Sequence, residues 1–168
     1  MVPDKVVATD IDETPLQDEL PRQAAIRLAR AKAAAAATSG VFVLAADTIV
    51  AVGRRILPKA ATAEQARACL ERLSGRRHHV WSAVVVVAPD GRRAERLTDS
   101  IVAFARLTSR QMETYVATGE WSGKAGGYAI QGHAAAHIRW LGGSYSAVVG
   151  LPLFETAQLL RGLGYPLP

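Results

Sequence analysis

Three groups of polar residues in this sequence have types and spacing suited to chemistry. The first is the acidic run Asp10-Ile11-Asp12-Glu13. Carboxylates do not fill a core unpaired, so the run is either a solvated turn or a site for a hard cation. The second is Asp47-Thr48, which follows the apolar run Val41–Ala46. Ligands of α/β sheets gather beyond the carboxyl ends of strands, which makes Asp47 a candidate metal ligand or general base. The alternative is that it caps the next turn. The third is the stretch Gly123 to Gly132, GKAGGYAIQG. Its glycines allow backbone N–H groups to approach a ligand closely, and Lys124 adds a positive charge. It matches neither the P-loop nor the dinucleotide pattern, and a tight glycine-rich connection is the alternative.

Other polar residues point less strongly to chemistry. His78 and His79 are adjacent, so on a strand they face opposite sides. His133 and His137 have helical spacing but no HExxH context, and all four histidines read as surface or packing residues. Trp81, Trp121 and Trp140 read as packing residues. The single cysteine, Cys69, excludes an internal disulfide and a CxxC site, and reads as a small buried apolar residue on a helix.

The elements that must position these groups follow from punctuation and periodicity. Pro21 suits a first helical turn, and alanine-rich sequence carries a helix to Ala37, ended by Gly40. Val41–Ala46 has strand length, with Asp47 at its carboxyl end; Ile49–Val52 and Arg55–Leu57 flank a turn at Gly53. Thr62 with Gln65 forms a capping box for a helix to Leu73, and Thr108 with Gln111 forms another for a helix to Ala117. His79–Ala88 and Leu97–Phe104 read as a hairpin around Pro89-Asp90-Gly91. Gly119–Gly132 is a loop, Ala136–Leu141 a strand, and Pro152 opens a last helix over Leu153–Leu163. The pattern predicts an α/β or α+β sheet with helices packed on it.

Composition sets the outer limits. The 168 residues fit one domain over 1–168. Hydrophobic residues make up 49% and charged residues 21%, which excludes a disordered or low-complexity chain. Apolar runs such as Ala33–Ala37 and Ala83–Ala88 fall far short of the ~20 residues of a membrane span. The start, MVPDKVVATD, lacks a basic-then-apolar leader, so a cytoplasmic protein is expected. The net charge of +5 suits phosphate binding, but the arginines are scattered as pairs. With aromatics at only 6%, a nucleic-acid-binding domain is the least favoured class.

Four blocks taken together are more specific than any single motif. They are LAADTIVAVGRRILPKA (Leu44–Ala60), LSGRRHHVWSAV (Leu73–Val84), TGEWSGKAGGYAIQG (Thr118–Gly132) and GGSYSAVVGLPLFET (Gly142–Thr156). Their order resembles the Maf family of nucleoside triphosphate pyrophosphatases, once called septum formation inhibitors. Asp12-Glu13 and Lys32-Ala33 match further elements of that family. The Tyr-x-Ile-Gln-Gly form, Tyr128 to Gly132, resembles the branch acting on dTTP and UTP. The resemblance implies an elongated mixed sheet with flanking helices, in two lobes around a cleft. It implies hydrolysis of the acid anhydride to a nucleoside monophosphate and pyrophosphate, aided by Mg²⁺ or Mn²⁺, and often a homodimer.

Site roles are likewise carried by the resemblance. Asp47 would be the proton acceptor, Glu13 and Asp47 the metal ligands, and Lys59 and Lys32 the catalytic cations. Lys124 would contact phosphate, while Thr48 and Gln131 would read the base. Lys32 could equally be a solvated lysine on a helix face. One departure matters: the family's Ser-x-Ser-Pro-Arg-Arg loop, ahead of the Asp-Glu element, has no counterpart in this sequence. Gly123 and Pro58 are smaller departures, where relatives often carry Asp and Gly. The alternative to the enzyme is therefore a catalytically impaired nucleotide-binding homologue with a role in cell division control.

Overall fold

The computed structural model describes residues 3–167. Strands β1 (Val43–Val52), β2 (Arg55–Leu57), β3 (Arg77–Val87), β4 (Arg93–Phe104) and β5 (Ile138–Gly142) form one sheet in the order β2-β1-β3-β4-β5. Every pairing is antiparallel. Helices α1 (Pro21–Ala35), α2 (Ala63–Leu73), α3 (Ser109–Ala117), α4 (Tyr145–Val149) and α5 (Leu153–Gly162) flank it. The α/β class with helices on a sheet is as expected from sequence, with antiparallel ladders throughout in place of mixed ones. Among the described residues, no helix is long and apolar enough to cross a membrane.

The largest departure from the sequence reading lies in β1. The polar pair Asp47-Thr48 predicts the end of a strand, but the strand runs on through both. Backbone pairing explains it, because β1 is laddered to β3 without a break from Val43↔Val87 to Ala51↔His79. Asp47 therefore sits in mid-strand opposite Ala83, not at a carboxyl end. Two smaller differences are the ³10 turn His133–His137, which delays β5, and the short helix α4, which sequence reading missed.

Three apolar clusters hold the layers together. On one face, Ala24, Ala25, Leu28, Ala29 and Ala33 of α1 pack on Ile49, Ala83 and Val85. Their recurrence every three or four residues is the stripe of an amphipathic helix, and alanines let its backbone lie close to the sheet. On the other face, Leu159, Leu160 and Leu163 cover Val84 and Val86. At the far end, α2 and α3 close a larger cluster that includes Leu70, Leu73, Phe104, Met112 and Tyr115. The sheet thus joins the three clusters, and a cleft opens where β1, the glycine-rich stretch and the end of α4 meet. Both helix starts read from sequence are capped: Thr62 accepts from the Gln65 N–H at 3.3 Å, and Thr108 from the Gln111 N–H at 3.2 Å. The reciprocal bond of a capping box forms at Thr108, whereas Gln65 Oε1 accepts the Ala61 N–H in place of the Thr62 N–H.

Leu70 is 1% exposed at the centre of the far cluster. Leu70→Ala is expected to cost about 2–5 kcal/mol, read as a fall in the urea midpoint with an unchanged slope.

Candidate active site

The site begins with a charge that the fold has buried. Asp47 is 4% exposed, on the face of β1 that meets α1. Its partner comes from that helix. Lys32 follows Ala25 and Leu28 on the buried stripe, so its side chain is directed at the sheet and not into water. Its ammonium bonds to Asp47 Oδ1 and lies 2.9 Å from Glu13 Oε1. Glu13 Oε2 in turn binds the Lys59 ammonium. Two carboxylates and two ammonium groups thus form one alternating chain, drawn from four separate stretches of sequence.

The electrostatics follow from burial against pairing. Burial pushes the Asp47 carboxyl above its ordinary value, and contact with Lys32 offsets only part of that rise. Burial alone would raise Glu13, but its bonds to Lys59 and Lys32 outweigh that and hold it below the usual range. Burial would likewise lower Lys32, but Asp47 and Glu13 outweigh it and raise its pKa. Asp47 Oδ2 is buried and has no hydrogen-bond partner among the described residues. That atom is an acceptor awaiting a proton or a cation.

Neighbours on a strand face opposite ways, and Thr48 turns from Asp47 into the cleft proper. Ala46, Thr48 and Val50 line one wall, and Lys124, Tyr128 and Gln131 line another. Asp47 and Lys59 also border this cleft. The glycine-rich stretch is fastened here by a short ladder: Gly123 N–H to Ala60 O at 2.9 Å and Gly126 N–H to Pro58 O at 3.0 Å. Gly126 and Gly127 have φ of +69° and +67°. A Cβ on Gly126 would lie 2.7 Å from Val50 Cγ1, so this close approach requires glycine.

A buried pair stands behind that loop. His78, 1% exposed, places Nε2 2.8 Å from the Tyr128 hydroxyl. Tyr115 supports the next residue by accepting the Ala129 N–H at 3.1 Å. Burial draws His78 down to about 4, with a smaller push from His79, and the same burial raises the Tyr128 phenol. His79 faces the other way and pairs with Asp99 at 2.7 Å, so the two histidines divide between faces as the sequence requires.

All seven residues proposed from sequence are placed around this one region. Glu13, Lys32, Asp47 and Lys59 are joined by ion pairs, and Thr48, Lys124 and Gln131 line the adjoining cleft. The acidic run splits between its two readings: Asp12 accepts the Thr14 N–H in an exposed turn, and Glu13 enters the site. Sequence reasoning missed Ser82, which bonds Thr48, and the support that His78 gives Tyr128. The signal for Lys32 was present in the stripe 25, 28, 32.

Comparison with known proteins places this arrangement in a family. The chain matches the family described as Maf-like protein over residues 1–163, and it belongs to that family. It is 60% identical to the dTTP/UTP pyrophosphatase of Granulibacter bethesdensis, over 98% of this chain and 85% of that protein. It is 62% identical to the dTTP/UTP pyrophosphatase of Gluconobacter oxydans, over 96% and 78%, and 59% identical to that of Rhodospirillum rubrum, over 98% and 80%.

The His78 environment makes stability depend on pH. The unfolded chain takes up a proton at His78 near its ordinary 6.5, while the folded chain refuses it until about 4. Stability is therefore full above that window and falls as pH drops through it, by up to about 1.4 kcal/mol per pH unit from this residue. In urea melts between those pH values, His78→Gln is expected to show a slope shallower by about one proton.

Proposed function

We propose that this chain is a nucleoside triphosphate pyrophosphatase acting on dTTP and UTP, working as a single domain through the Asp47–Lys32–Glu13–Lys59 chain and the cleft beside it. One observation carries the reading: a buried carboxylate with a free oxygen adjoins a cleft bordered by two lysines and an amide. The matched relatives bear the same activity in their names.

The chemistry is attack of water on the α-phosphorus. The new P–O bond forms, the bond to the bridging oxygen breaks, and pyrophosphate leaves while the nucleoside monophosphate keeps the water oxygen. Lys32 holds Asp47 Oδ1, so Oδ2 is the atom that takes the proton of the attacking water. Burial brings the Asp47 carboxyl closer to the working pH, where a general base is most effective. Lys59 and Lys124 meet phosphate oxygens from the rim, and Lys32 keeps Asp47 oriented. Thr48 and Gln131 read the base, the amide offering both a donor and an acceptor. Asp47 and Thr48 face opposite sides of β1, so the nucleotide reaches around that strand, with phosphates on one side and base on the other.

The donor set fits a hard divalent cation. Mg²⁺ and Mn²⁺ take oxygen ligands and often use only one or two carboxylates beside substrate phosphates. Glu13 and Asp47 would hold it through carboxylate oxygens that Lys32 bridges in its absence. When bound, the ion screens the triphosphate charge and stabilises charge developing at phosphorus. The cytoplasm is the setting, and a homodimer is the assembly the family resemblance implies. The exposed apolar side chains of Tyr145, Val149, Leu153 and Phe154 support a partner surface.

Pyrophosphate release from dTTP, UTP, CTP, GTP and 7-methyl-GTP with Mg²⁺ or Mn²⁺ tests the reading. Metal-dependent turnover selective for dTTP and UTP is expected. Asp47→Asn should lower kcat by about 10²–10⁴-fold while the thermal midpoint is kept, since the lost group is a general base. Near-normal turnover in that variant removes Asp47 from the role. Nucleotide binding without turnover in the unaltered chain would favour the binding-only homologue.

A further inference from the structure

Behind the cleft wall, three polar groups form a chain across two strands and a helix. Thr48 Oγ1 lies 3.0 Å from Ser82 Oγ, on the cross-strand pair Thr48↔Ser82. Ser82 Oγ lies 2.6 Å from the backbone carbonyl oxygen of Ala147 in α4. Ser82 and Ala147 are both 0% exposed, so water does not share these bonds.

The direction of each proton follows from counting. A carbonyl only accepts, and a serine hydroxyl has one proton to give. Two oxygens at 2.6 Å require a hydrogen between them, and only Ser82 can supply it. The second lone pair of the Ala147 carbonyl takes the Gly150 N–H at 3.1 Å. Ser82 has then spent its proton and can only accept from Thr48. Thr48 spends its own proton in turn, and it meets the cleft with lone pairs alone.

The geometry points to Ser82 as a positioning residue that sets base specificity: it fixes Thr48 as an acceptor-only group and so selects a pyrimidine bringing a ring N–H. This rests on the reading that Thr48 and Gln131 face the base. Uracil and thymine carry a proton on N3, whereas cytosine presents a bare lone pair there. Gln131 cannot make this distinction firmly, because a half-turn of its amide exchanges donor for acceptor. Thr48 cannot make that exchange while Ser82 holds its proton. Discrimination between uracil and cytosine therefore falls on the fixed hydroxyl.

The test compares UTP with CTP in the full chain and in Ser82→Ala and Ser82→Thr, by kcat/KM and by calorimetric binding of UMP and CMP. In Ser82→Ala the Thr48 proton is freed to serve cytosine N3, and the UTP:CTP ratio should fall about tenfold or more. Ser82→Thr keeps a hydroxyl and should keep the ratio. If Ser82→Ala does not fold, Thr48→Val and Thr48→Ser carry the test. The ratio is expected to be lost in the valine variant and retained in the serine variant, and its retention in the valine variant overturns the inference. Equal slowing of UTP and CTP in folded Ser82→Ala, with the ratio unchanged, also overturns it, because a merely structural role predicts that result. So does an unaltered chain that binds UMP and CMP alike, even if it releases pyrophosphate from UTP. An unaltered chain that prefers UMP but releases no pyrophosphate defeats the enzymatic reading and leaves the role of Ser82 standing.

Discussion

A carboxylate buried in the middle of a strand is the constraint around which this site is arranged. Without a partner, Asp47 would be neutralised by its surroundings or would destabilise the fold. Lys32 resolves this from helix α1, which packs on that face and whose alanines bring its backbone close enough for the ammonium to arrive. Lys32 is itself partly buried and needs compensation, which Glu13 adds; Lys59 then balances Glu13. Each charge is placed to satisfy the previous one, and the series ends at the rim of the cleft. The pairing is incomplete: Oδ1 is satisfied, and Oδ2 has no partner among the described residues.

The alternation of a β-strand separates the two polar groupings of the site. Asp47 faces α1 and the charged chain, while Thr48 faces the cleft, Ser82 and α4. A single strand therefore carries the charged chain on one side and the hydroxyl chain on the other, one residue apart. The two sides are built differently. On the Thr48 side the contacts are neutral hydrogen bonds through Ser82 to α4, and on the Asp47 side they are ion pairs with lysines. Fixed dipoles discriminate between similar bases because they cannot reorient, whereas flexible ammonium groups suit a phosphate chain whose charge matters more than its shape.

Local signals made much of this legible in the sequence. Thr62 and Thr108 cap the helices they announced, and Pro89-Asp90-Gly91 turns the hairpin between β3 and β4. The site residues were legible mainly as ordered blocks. Spacing alone left Asp47 as either a cap or a base, and left Lys32 as either a site residue or a solvated lysine. The placement of Asp47 at a strand end failed because a polar pair inside an apolar run looks like punctuation, whereas pairing with β3 holds the strand extended through it. Helix α4 was missed because five residues carry too little periodicity to register. Ser82 and His78 were missed for a different reason. A lone serine or histidine in a valine-rich strand gains meaning only from the residue opposite it, and register is a property of two strands.

Rigidity on the recognition side has a cost that explains several otherwise unremarked residues. A loop that must hold Gln131 at a fixed distance from Thr48 cannot depend on its own irregular backbone. Tyr115 bonds the Ala129 N–H, His78 bonds Tyr128, and the Pro58–Ala60 segment laces the glycine end of the loop. These supports come from α3, β3 and the segment after β2, and Tyr115 and Tyr128 are themselves members of the far cluster, so loop position is tied to core packing. On the opposite wall, Ser82 ties α4 to β3 with one hydroxyl and sets the polarity of Thr48 with the same atom. The two walls are thus positioned by buried polar groups that stand behind the cleft lining. Their hydrogen bonds are strong because water is absent, and for the same reason each fixes the direction of the next.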